Sequence, residues 1–363
     1  MRREGGMSAA LALMCVVLYI SNPDFLGASN AVNTLRQISM LGIFAVGIGF
    51  VIITGGIDLS IGSIIGLTGV LIAKLSSPGL GGLSLWIGIP VALGVALAIG
   101  AIQGLLITRL RLQPFIVTLG GMLLIRGVSQ TISEGGTLSL SGSPLLEFSN
   151  GGYLNVGGSV LIPYPLVVFL AVIALATYVL HFTVLGRYVY AIGGNRDAAE
   201  YSGINVRRVE ASTYLISAGT AGIAGVCYAS YIGQMSQQVG IAYELYAIAA
   251  AVLGGCSLRG GEGTVLGMVI GSAVMRVIDN GINMFQFHYV DGDKIPRIWR
   301  LDQNWTFIII GGVILVAVIL DQSVHLVQQK RRIMSAGAAA ELKESAAAAS
   351  RVTTTGAAPP PDP

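Results

Sequence analysis

Ten apolar runs follow one another along this chain of 363 residues, separated by short polar or glycine-rich segments. A bilayer core takes about 20 helical residues to cross, and most of the runs approach that length. Only 11% of the residues are charged, so the chain cannot cover its surface with solvated groups as a soluble domain does. We therefore predict an all-α polytopic membrane protein with about ten transmembrane helices, some of them short or broken at glycine-rich segments. The predicted spans are Met7–Ile20, Ala31–Thr54, Leu59–Leu75, Leu85–Thr108, Pro114–Ile132, Pro163–Phe182, Ala211–Ile232, Ala242–Gly255, Thr264–Met284 and Thr306–Leu320.

The first apolar run resembles the apolar part of a secretory signal peptide, because Arg2 and Arg3 precede it and it is short. A signal peptide would be followed by a small-residue cleavage site, but this run is followed by Ser21–Phe25. We therefore predict a retained anchor helix.

Lysine and arginine are unevenly divided between alternate connections, as expected when cytoplasmic loops are enriched in them. With the amino terminus inside, the basic segment 183–210 falls on the cytoplasmic side and the long segment 133–162 falls outside. The predicted exterior segment 287–304 is the exception, because it carries several basic and acidic residues. We predict that both termini are cytoplasmic, with a transmembrane domain at 1–330 and a disordered cytoplasmic tail at 331–363.

Composition and short motifs argue against several functions. A net charge of +3, with the basic residues spread between apolar runs, gives no reason to expect a nucleic-acid partner. None of the lysines follows a glycine, so the chain has no phosphate loop. Cys15, Cys227 and Cys256 are scattered without metal-ligand spacing. We predict no catalytic site, bound cofactor or metal in this chain.

The apolar pattern is interrupted most clearly between the second and third predicted spans, where Gly55, Gly56, Asp58 and Ser60 occur close together. Freed backbone groups and a carboxylate at membrane depth survive only inside protein or beside water. One interpretation is a broken helix that lines a transport path or holds a gate. The other is a tight cytoplasmic turn in which Asp58 or Ser60 caps the next helix. The two interpretations are compatible.

A second break, at Gly254–Leu258, has a similar order of residues and is also followed by glycines at intervals of four. The pair that follows the first break, Gly62 and Gly66, has the spacing of closely packed helices. Internal repeats are common in transporters, but a chain with 50 glycines produces such matches by chance as well. A true repeat and a chance match are both open at this stage.

Few ionisable residues fall inside the predicted spans. Arg276 and Asp279 are three residues apart and can pair on one helix face, which favours mutual neutralisation. Glu244 lies near the end of its span. Arg126 has no partner nearby in sequence, so it contacts a carboxylate elsewhere, extends to an interface or contacts a transported solute.

The predicted intracellular loop Leu185–Asn205 contains signals for a short helix. Asn195 or Asp197 can cap a helix that continues through Glu200, and Gly203 can end it. An exposed helix of this kind is suited to docking a cytoplasmic partner. The alternative is an amphipathic linker that lies on the membrane surface.

A series of motifs covers most of residues 21–321: Asn22–Leu26, Leu35–Gln37, Gly55–Ser63, Gln113–Gly120, Leu124–Gly127, Leu185–Asn205, Tyr243–Leu245, Ala247–Gly255, Gly261–Gly267 and Asn280–Asn283. In this order they resemble the permease subunits of bacterial ABC importers for monosaccharides, of the ribose, xylose and galactose type. The chain departs from that family at Asp279, where the family usually has asparagine, and in the charged segment 287–304.

The resemblance implies a subunit of the bacterial inner membrane that translocates a monosaccharide-like solute by alternating access. It implies a second copy or a paralogue, a periplasmic or lipid-anchored sugar-binding protein, and cytoplasmic ABC ATPase subunits that would carry ATP and Mg²⁺. The missing phosphate loop agrees with hydrolysis on another chain.

The same resemblance implies roles for two groups of residues. The ATPase-coupling loop would contain Gly193, Gly194, Asn195, Ala198, Ala199, Glu200, Gly203 and Ile204. The translocation path or its gate would contain Gly55, Gly56, Asp58, Ser60, Arg126, Asn280 and Asn283.

A gradient-driven secondary sugar carrier is the alternative function. Such carriers keep carboxylates for ion coupling near the membrane midplane, and Asp58, Glu244 and Asp279 are the candidates here. A membrane scaffold that does not transport is a further alternative.

Overall fold

The computed structural model describes residues 2–76, 82, 84–150, 152–156, 159–284, 286–290 and 296–300, with isolated residues between 305 and 322. In this part of the chain, seven helices are long and apolar enough to cross a membrane, and two further apolar helices are shorter. The α-helices are α1 (Arg2–Ser21), α2 (Ala28–Ile53), α3 (Ile61–Leu75), α4 (Leu85–Arg109), α5 (Pro114–Ile132), α6 (Leu145–Asn150), α7 (Tyr164–Thr177), α8 (Val184–Gly194), α9 (Arg196–Tyr201), α10 (Val206–Ile232), α11 (Tyr243–Leu253) and α12 (Val265–Met284).

Nine of the ten predicted spans are helices in this structure, so a helical, polytopic architecture is confirmed. The helix α7 continues into a π-helical turn at Tyr178–Phe182. The tenth predicted span, Thr306–Leu320, lies largely outside the described residues, and the predicted tail at 331–363 lies entirely outside them.

Short strands form in the connections between helices: β1 (Leu138–Ser139), β2 (Gly152–Val156), β3 (Ser159–Pro163), β4 (Gln234–Met235), β5 (Gln286–Val290) and β6 (Pro296–Arg300). They pair in antiparallel fashion as β1 with β4, β2 with β3, and β5 with β6. The first two pairs include strands of the predicted exterior segment 133–162. The last pair begins one residue before the charged segment 287–304 and sets Phe287 opposite Trp299.

The helices α2 and α10 form the interior of the bundle. Every residue of α2 from Ser39 to Ile53 is buried, and α10 packs against α2, α3 and α4. A helix that is apolar on all sides is stable only when other elements or lipid surround it. The outer helices show the opposite arrangement, since Ile20 of α1, Leu124 of α5 and Leu175 of α7 are each more than half exposed. Apolar surface on this scale matches the acyl chains of a bilayer.

Small residues bring α4 and α10 into close contact. Gly100 lies against Ala218, and a side chain at Gly104 would meet the backbone oxygen of Ala211 at 2.9 Å. Because lipid tails are as apolar as leucine, helices in a membrane associate through packing of this kind rather than through the hydrophobic effect.

Polar contacts tie the helices together at both ends of the bundle. The hydroxyl of Thr264 donates a hydrogen bond to Glu4 (2.7 Å), and the amide of Asn22 donates to the carbonyl of Met284 (3.3 Å). The helices α1 and α12 therefore run parallel. We call the end with Glu4, Thr264 and residues 183–205 the loop end, and the end with Asn22, β1 and β4 the hairpin end.

We predict that Gly104→Val destabilises the bundle because its side chain collides with α10, at a cost of about 1–3 kcal/mol for an overpacked interior. Gly94→Val on the same helix is the matched control, because no atom lies within 4 Å of a side chain at that position. The measurement is the midpoint of thermal unfolding of each variant in detergent. Equal midpoints for the two valine variants would contradict the close α4–α10 contact.

Candidate functional site

The first helix break is the carboxyl-terminal end of α2, where the backbone adopts a left-handed conformation that favours glycine. After α2 ends, Gly55 adopts φ +83°, its N–H donates to the carbonyl of Ile52 (2.8 Å), and Gly56 N–H donates to that of Val51 (2.9 Å). These two bonds form a Schellman motif, which needs a left-handed residue at this position. The interruption predicted from the sequence is confirmed.

The second break ends α11 in the same way. Gly255 adopts φ +87° and donates to Val252, and Cys256 donates to Ala251, both at 2.9 Å. The similarity of the two breaks in the sequence therefore extends to their backbone hydrogen bonds.

Both breaks meet the loop 183–205 at one point, which we call the glycine junction: Ile53, Gly193, Gly260 and Gly261. The N–H of Gly261 donates to the carbonyl of Ile53 (2.8 Å), and a Cβ at Gly193 would overlap that carbonyl and the backbone of Gly261. Gly260 and Gly261 have φ of +89° and +77°. Three backbones therefore touch without intervening side chains.

A tyrosine of α8 adds a side-chain link at the glycine junction. The hydroxyl of Tyr190 donates to the carbonyl of Gly263 at 2.6 Å. Burial raises the pKa of Tyr190 to about 12, so the hydroxyl keeps its proton and remains a donor at physiological pH. The loop end therefore fixes α8 to the second break through both backbone and side chain.

Asp58 lies completely buried behind the first break. Its Oδ1 accepts hydrogen bonds from the N–H (2.9 Å) and hydroxyl (2.7 Å) of Ser60, and its Oδ2 accepts one from Ser217 of α10 (2.7 Å). The bond to Ser60 N–H is an Asx turn, which shapes the entry into α3. The carboxylate therefore fixes the turn before α3 and joins it to α10, whereas the predicted cap is absent, because the N-cap residue Ser60 makes no side-chain capping bond to α3.

Gln103 of α4 extends the same cluster. The Oε1 position of its amide lies 3.0 Å from the Ser60 hydroxyl, while the Nε2 position has no partner among the described residues. The one proton of Ser60 Oγ goes to Asp58, so the amide must be turned to let Nε2 donate to Ser60. Asp58, Ser60, Ser217 and Gln103 then form one buried polar cluster that joins the turn before α3 to α4 and α10.

Arg126 of α5 contacts backbone rather than a carboxylate. Its guanidinium donates to the carbonyls of Gln237 (2.9 Å) and Gly240 (3.1 Å), and it also interacts electrostatically with Glu244. It holds the non-helical segment 233–242, which precedes α11.

The glycines of α3 pack against this segment. Gly62 lies against Gly240, Gly66 against Val239, and Gly69 against the side chain of Met235. The close packing predicted for Gly62 and Gly66 is present, but much of it is made with irregular backbone; Gly62 also lies against Glu244 of α11. The glycine face of α3 and Arg126 together enclose this irregular segment.

The remaining residues of the predicted path lie at the hairpin end. Asn280 exchanges two hydrogen bonds with Asn30 of α2 (2.8 and 3.1 Å), whereas Asn283 is exposed and donates to the backbone of Asp279. The structure therefore does not bring Asn280 and Asn283 together with Asp58 and Ser60.

The predicted pairing of Arg276 with Asp279 is present, with 3.2 Å between Nη1 and Oδ2. The guanidinium also donates to the hydroxyl of Tyr228 (3.0 Å) and lies 5.5 Å from the ring centre of Tyr246. A buried cation is stable when it is paired and hydrogen-bonded in this way.

The predicted coupling loop forms a short exposed helix, α9. Asn195 caps it by accepting from the N–H of Ala198 (3.0 Å), and Gly203 follows it with φ +83°. The residues of the predicted coupling loop divide into exposed and enclosed ones. The exposed residues are Asn195, Ala198, Glu200, Gly203 and Gly194, and no atom lies within 4 Å of a Cβ added at Gly194. Among the enclosed residues, Ala199 is buried, Ile204 is half-buried and Gly193 lies in the glycine junction.

The sequence analysis missed Tyr201, which is 92% exposed on α9. A large aromatic residue at the end of a helix of otherwise small and polar residues could have indicated a binding role for Tyr201. Tyrosine is enriched among residues that dominate binding at interfaces.

A cleft of about 740 Å³ lies between α9 and the first break. Gly55 and Gly56 line one side, Arg111 lies at the connection between α4 and α5, and Arg196 and Glu200 line the other side. Arg196 of α9 forms an ion pair with Glu210 of α10 at 2.9 Å. Among the described residues, no group of three or more histidines, cysteines or acidic residues is placed to hold a metal ion.

The family described as "Branched-chain amino acid transport system / permease component" matches residues 30–319. The chain belongs to this family. It is therefore the membrane-spanning permease component of an ABC transporter, not the ATPase, and a multi-pass protein of the inner membrane.

Known relatives of this permease support the assignment. It is 37% identical to the ribose import permease protein RbsC of Haemophilus influenzae, over 76% of this chain and 84% of the relative. It is 37% identical to the inner membrane ABC transporter permease protein YjfF of Escherichia coli, over 83% and 86%. It is 33% identical to the galactose/methyl galactoside import permease protein MglC of Salmonella typhimurium, over 88% and 94%. No solved structure matches the permease significantly.

We predict that Gly193→Ala disrupts the permease, because the added methyl group must displace the backbone of Ile53 or Gly261; overpacking of this kind costs about 1–3 kcal/mol. Gly194→Ala is the matched control, since no atom lies within 4 Å of its side chain. The midpoint of thermal unfolding in detergent should fall for the first variant and stay near wild type for the second. A fall of equal size in both variants would refute the glycine junction.

Proposed function

We propose that this permease imports a monosaccharide. Two of its similar relatives are named for ribose and galactose import. An uncharged sugar needs few charged groups along its route. Most of the charged groups in the described spans are engaged within the protein: Arg276 is paired with Asp279, Arg126 binds two backbone carbonyls and Asp58 is held by three hydrogen bonds.

We further propose that the permease has about ten spans with both termini in the cytoplasm, so that the loop end is cytoplasmic. The shorter apolar helices α3 and α11 adjoin irregular backbone, which makes up the remaining membrane depth. The basic residues of segment 183–210 then lie on the cytoplasmic side. The hairpin end faces outward, where a binding protein would deliver the sugar.

The observation that carries the proposed mechanism is the position of α9. This exposed helix projects from the loop end, and the glycine junction at its base contacts both helix breaks. An ATPase that binds α9 would therefore act directly on the two places where helices are interrupted. Nucleotide binding by that partner would supply the difference in affinity between two states that alternating access requires.

The assembly we propose contains two permease subunits, two ATPase subunits that bind ATP and Mg²⁺, and a sugar-binding protein. Of the predicted path residues, Gly55 and Gly56 border the cleft at the loop end, and Asp58 and Ser60 hold the turn before α3. Arg126 would act as a gate residue by holding segment 233–242 against α3. Asn280 would fix α12 to α2 at the hairpin end, and Asn283 is free to contact the delivered sugar.

A gradient-driven carrier would need a carboxylate that gains and loses an ion during transport. Family membership disfavours this alternative. Of the three candidate carboxylates, Asp58 and Asp279 are engaged by hydrogen bonds or an ion pair, and Glu244 interacts electrostatically with Arg126. Proteoliposomes containing the permease and a binding protein test the proposal, with radiolabelled ribose, galactose and allose supplied in turn. Uptake should require the ATPase and internal ATP. Uptake driven by an ion gradient without the ATPase would overturn the proposal.

We predict that Tyr201→Ala weakens binding of the ATPase by about 2 kcal/mol or more, as expected for an aromatic hot spot. Tyr19→Ala is the matched control, since Tyr19 is also an exposed tyrosine but lies near the hairpin end of α1. The measurement is co-purification of the ATPase with each tagged variant. Full recovery of the ATPase with the Tyr201 variant would show that α9 does not dock through this residue.

A further inference from the structure

Three residues of α10 lie on one face of the helix: Glu210, Tyr214 and Ser217. Their spacing of four and three residues aligns them along successive turns. The column they form begins beside α9 and ends at Asp58, and none of the three was singled out by the sequence.

At the first end of the column, Glu210 is tied to the proposed coupling helix. Its carboxylate forms an ion pair with Arg196, the first residue of α9, at 2.9 Å. The Glu210 side chain is only 13% exposed, whereas that of Arg196 is 55% exposed. A largely buried carboxylate that loses its partner is left with an uncompensated charge, so Glu210 resists separation from α9.

In the middle of the column, Tyr214 is enclosed. It is 2% exposed, and its hydroxyl has no hydrogen-bond partner among the described residues. The hydroxyl lies so close to Gly56 that a Cβ there would be 2.5 Å from it. Tyr214 therefore contacts the first break through its bulk, and a displacement of α10 at this turn displaces the break.

At the far end, Ser217 donates to Asp58 at 2.7 Å. The other oxygen of Asp58 accepts two hydrogen bonds from Ser60, the residue before α3. The column is thus continuous from α9 to Ser60, the residue before α3, through one ion pair, one packed tyrosine and one buried hydrogen-bond cluster.

We propose that Glu210, Tyr214 and Ser217 are positioning residues that transmit movement of α9 to the first helix break and so couple ATP hydrolysis to transport. This proposal rests on the proposed function, because it requires that an ATPase binds α9. The rigid body that moves is the first part of α10, and the three side chains connect it to its neighbours.

The test is the number of ATP molecules hydrolysed per sugar imported, measured in proteoliposomes with the complete transporter and whichever of ribose, galactose or allose is taken up. Glu210→Gln and Ser217→Ala should each raise this ratio by at least about fivefold, the lower end of ordinary coupling factors. Co-purification of the ATPase should be unchanged, because the exposed face of α9 is intact.

Two further variants separate transmission from a general loss of structure. Tyr214→Leu should raise the ratio because it removes both the ring and the hydroxyl that lies against Gly56, and Tyr214→Phe, which removes only the hydroxyl, should raise it less. Ser212→Ala is the control for Ser217→Ala, since Ser212 lies on the same helix and its hydroxyl donates only to the backbone of Val209.

A double-mutant cycle decides between a single column and separate effects. If the column acts as a unit, Glu210→Gln combined with Ser217→Ala raises the ratio no further than the larger single effect. Unchanged ratios in the single variants, or multiplied effects in the double variant, would overturn the proposal. Failure of the unmutated permease to bind an ATPase would instead refute the proposed function, and the column with it.

Discussion

The close contact of three backbones at the glycine junction is the constraint on which the rest of the loop end depends. The carbonyl of Ile53 accepts from Gly261, and Gly193 fills the remaining space beside it. Two helix breaks and the base of α9 can meet there only because the residues that surround the Ile53 carbonyl, Gly193, Gly260 and Gly261, carry no side chain. A contact of this kind transmits displacement efficiently, since close-packed interiors have little room to absorb it.

Three polar side chains provide the second set of connections, and each is bonded to a partner on another element. Asp58 joins the turn before α3 to α10, Arg126 joins α5 to segment 233–242, and Asn280 joins α12 to α2. In a membrane, irregular backbone and buried carboxylates are costly unless they are enclosed in this way. The polar residues of the spans therefore connect helices that small apolar residues bring close together.

The sequence predicted features whose causes are local. The hydropathy of about 20 residues decides whether a helix can span; nine of the predicted apolar runs are helices, and seven of these are long and apolar enough to cross a membrane. Asn195 caps the helix that follows it, and Arg276 reaches Asp279 one turn away. The breaks at Gly55 and Gly255 need a positive φ, which glycine adopts without steric cost.

Features that depend on tertiary contacts could not be predicted in the same way. No pattern near Arg126 indicates that it binds the carbonyls of Gln237 and Gly240, more than 100 residues away. The spacing of Gly62 and Gly66 predicts a close neighbour but not whether that neighbour is a helix or irregular backbone. The exposure of Tyr201 and the column from Glu210 to Ser217 likewise depend on how α9 and α10 are placed by the fold.

The sidedness of the two ends is tested most directly by a membrane-impermeant thiol reagent. Single cysteines at Asn195 and at Ser141, in a chain whose three native cysteines are replaced, would be labelled in right-side-out and inside-out vesicles. The account predicts that the cysteine at Asn195 reacts only in inside-out vesicles and the one at Ser141 only in right-side-out vesicles. Labelling of the cysteine at Asn195 in right-side-out vesicles would contradict it, because α9 would then lie on the side opposite the ATPase.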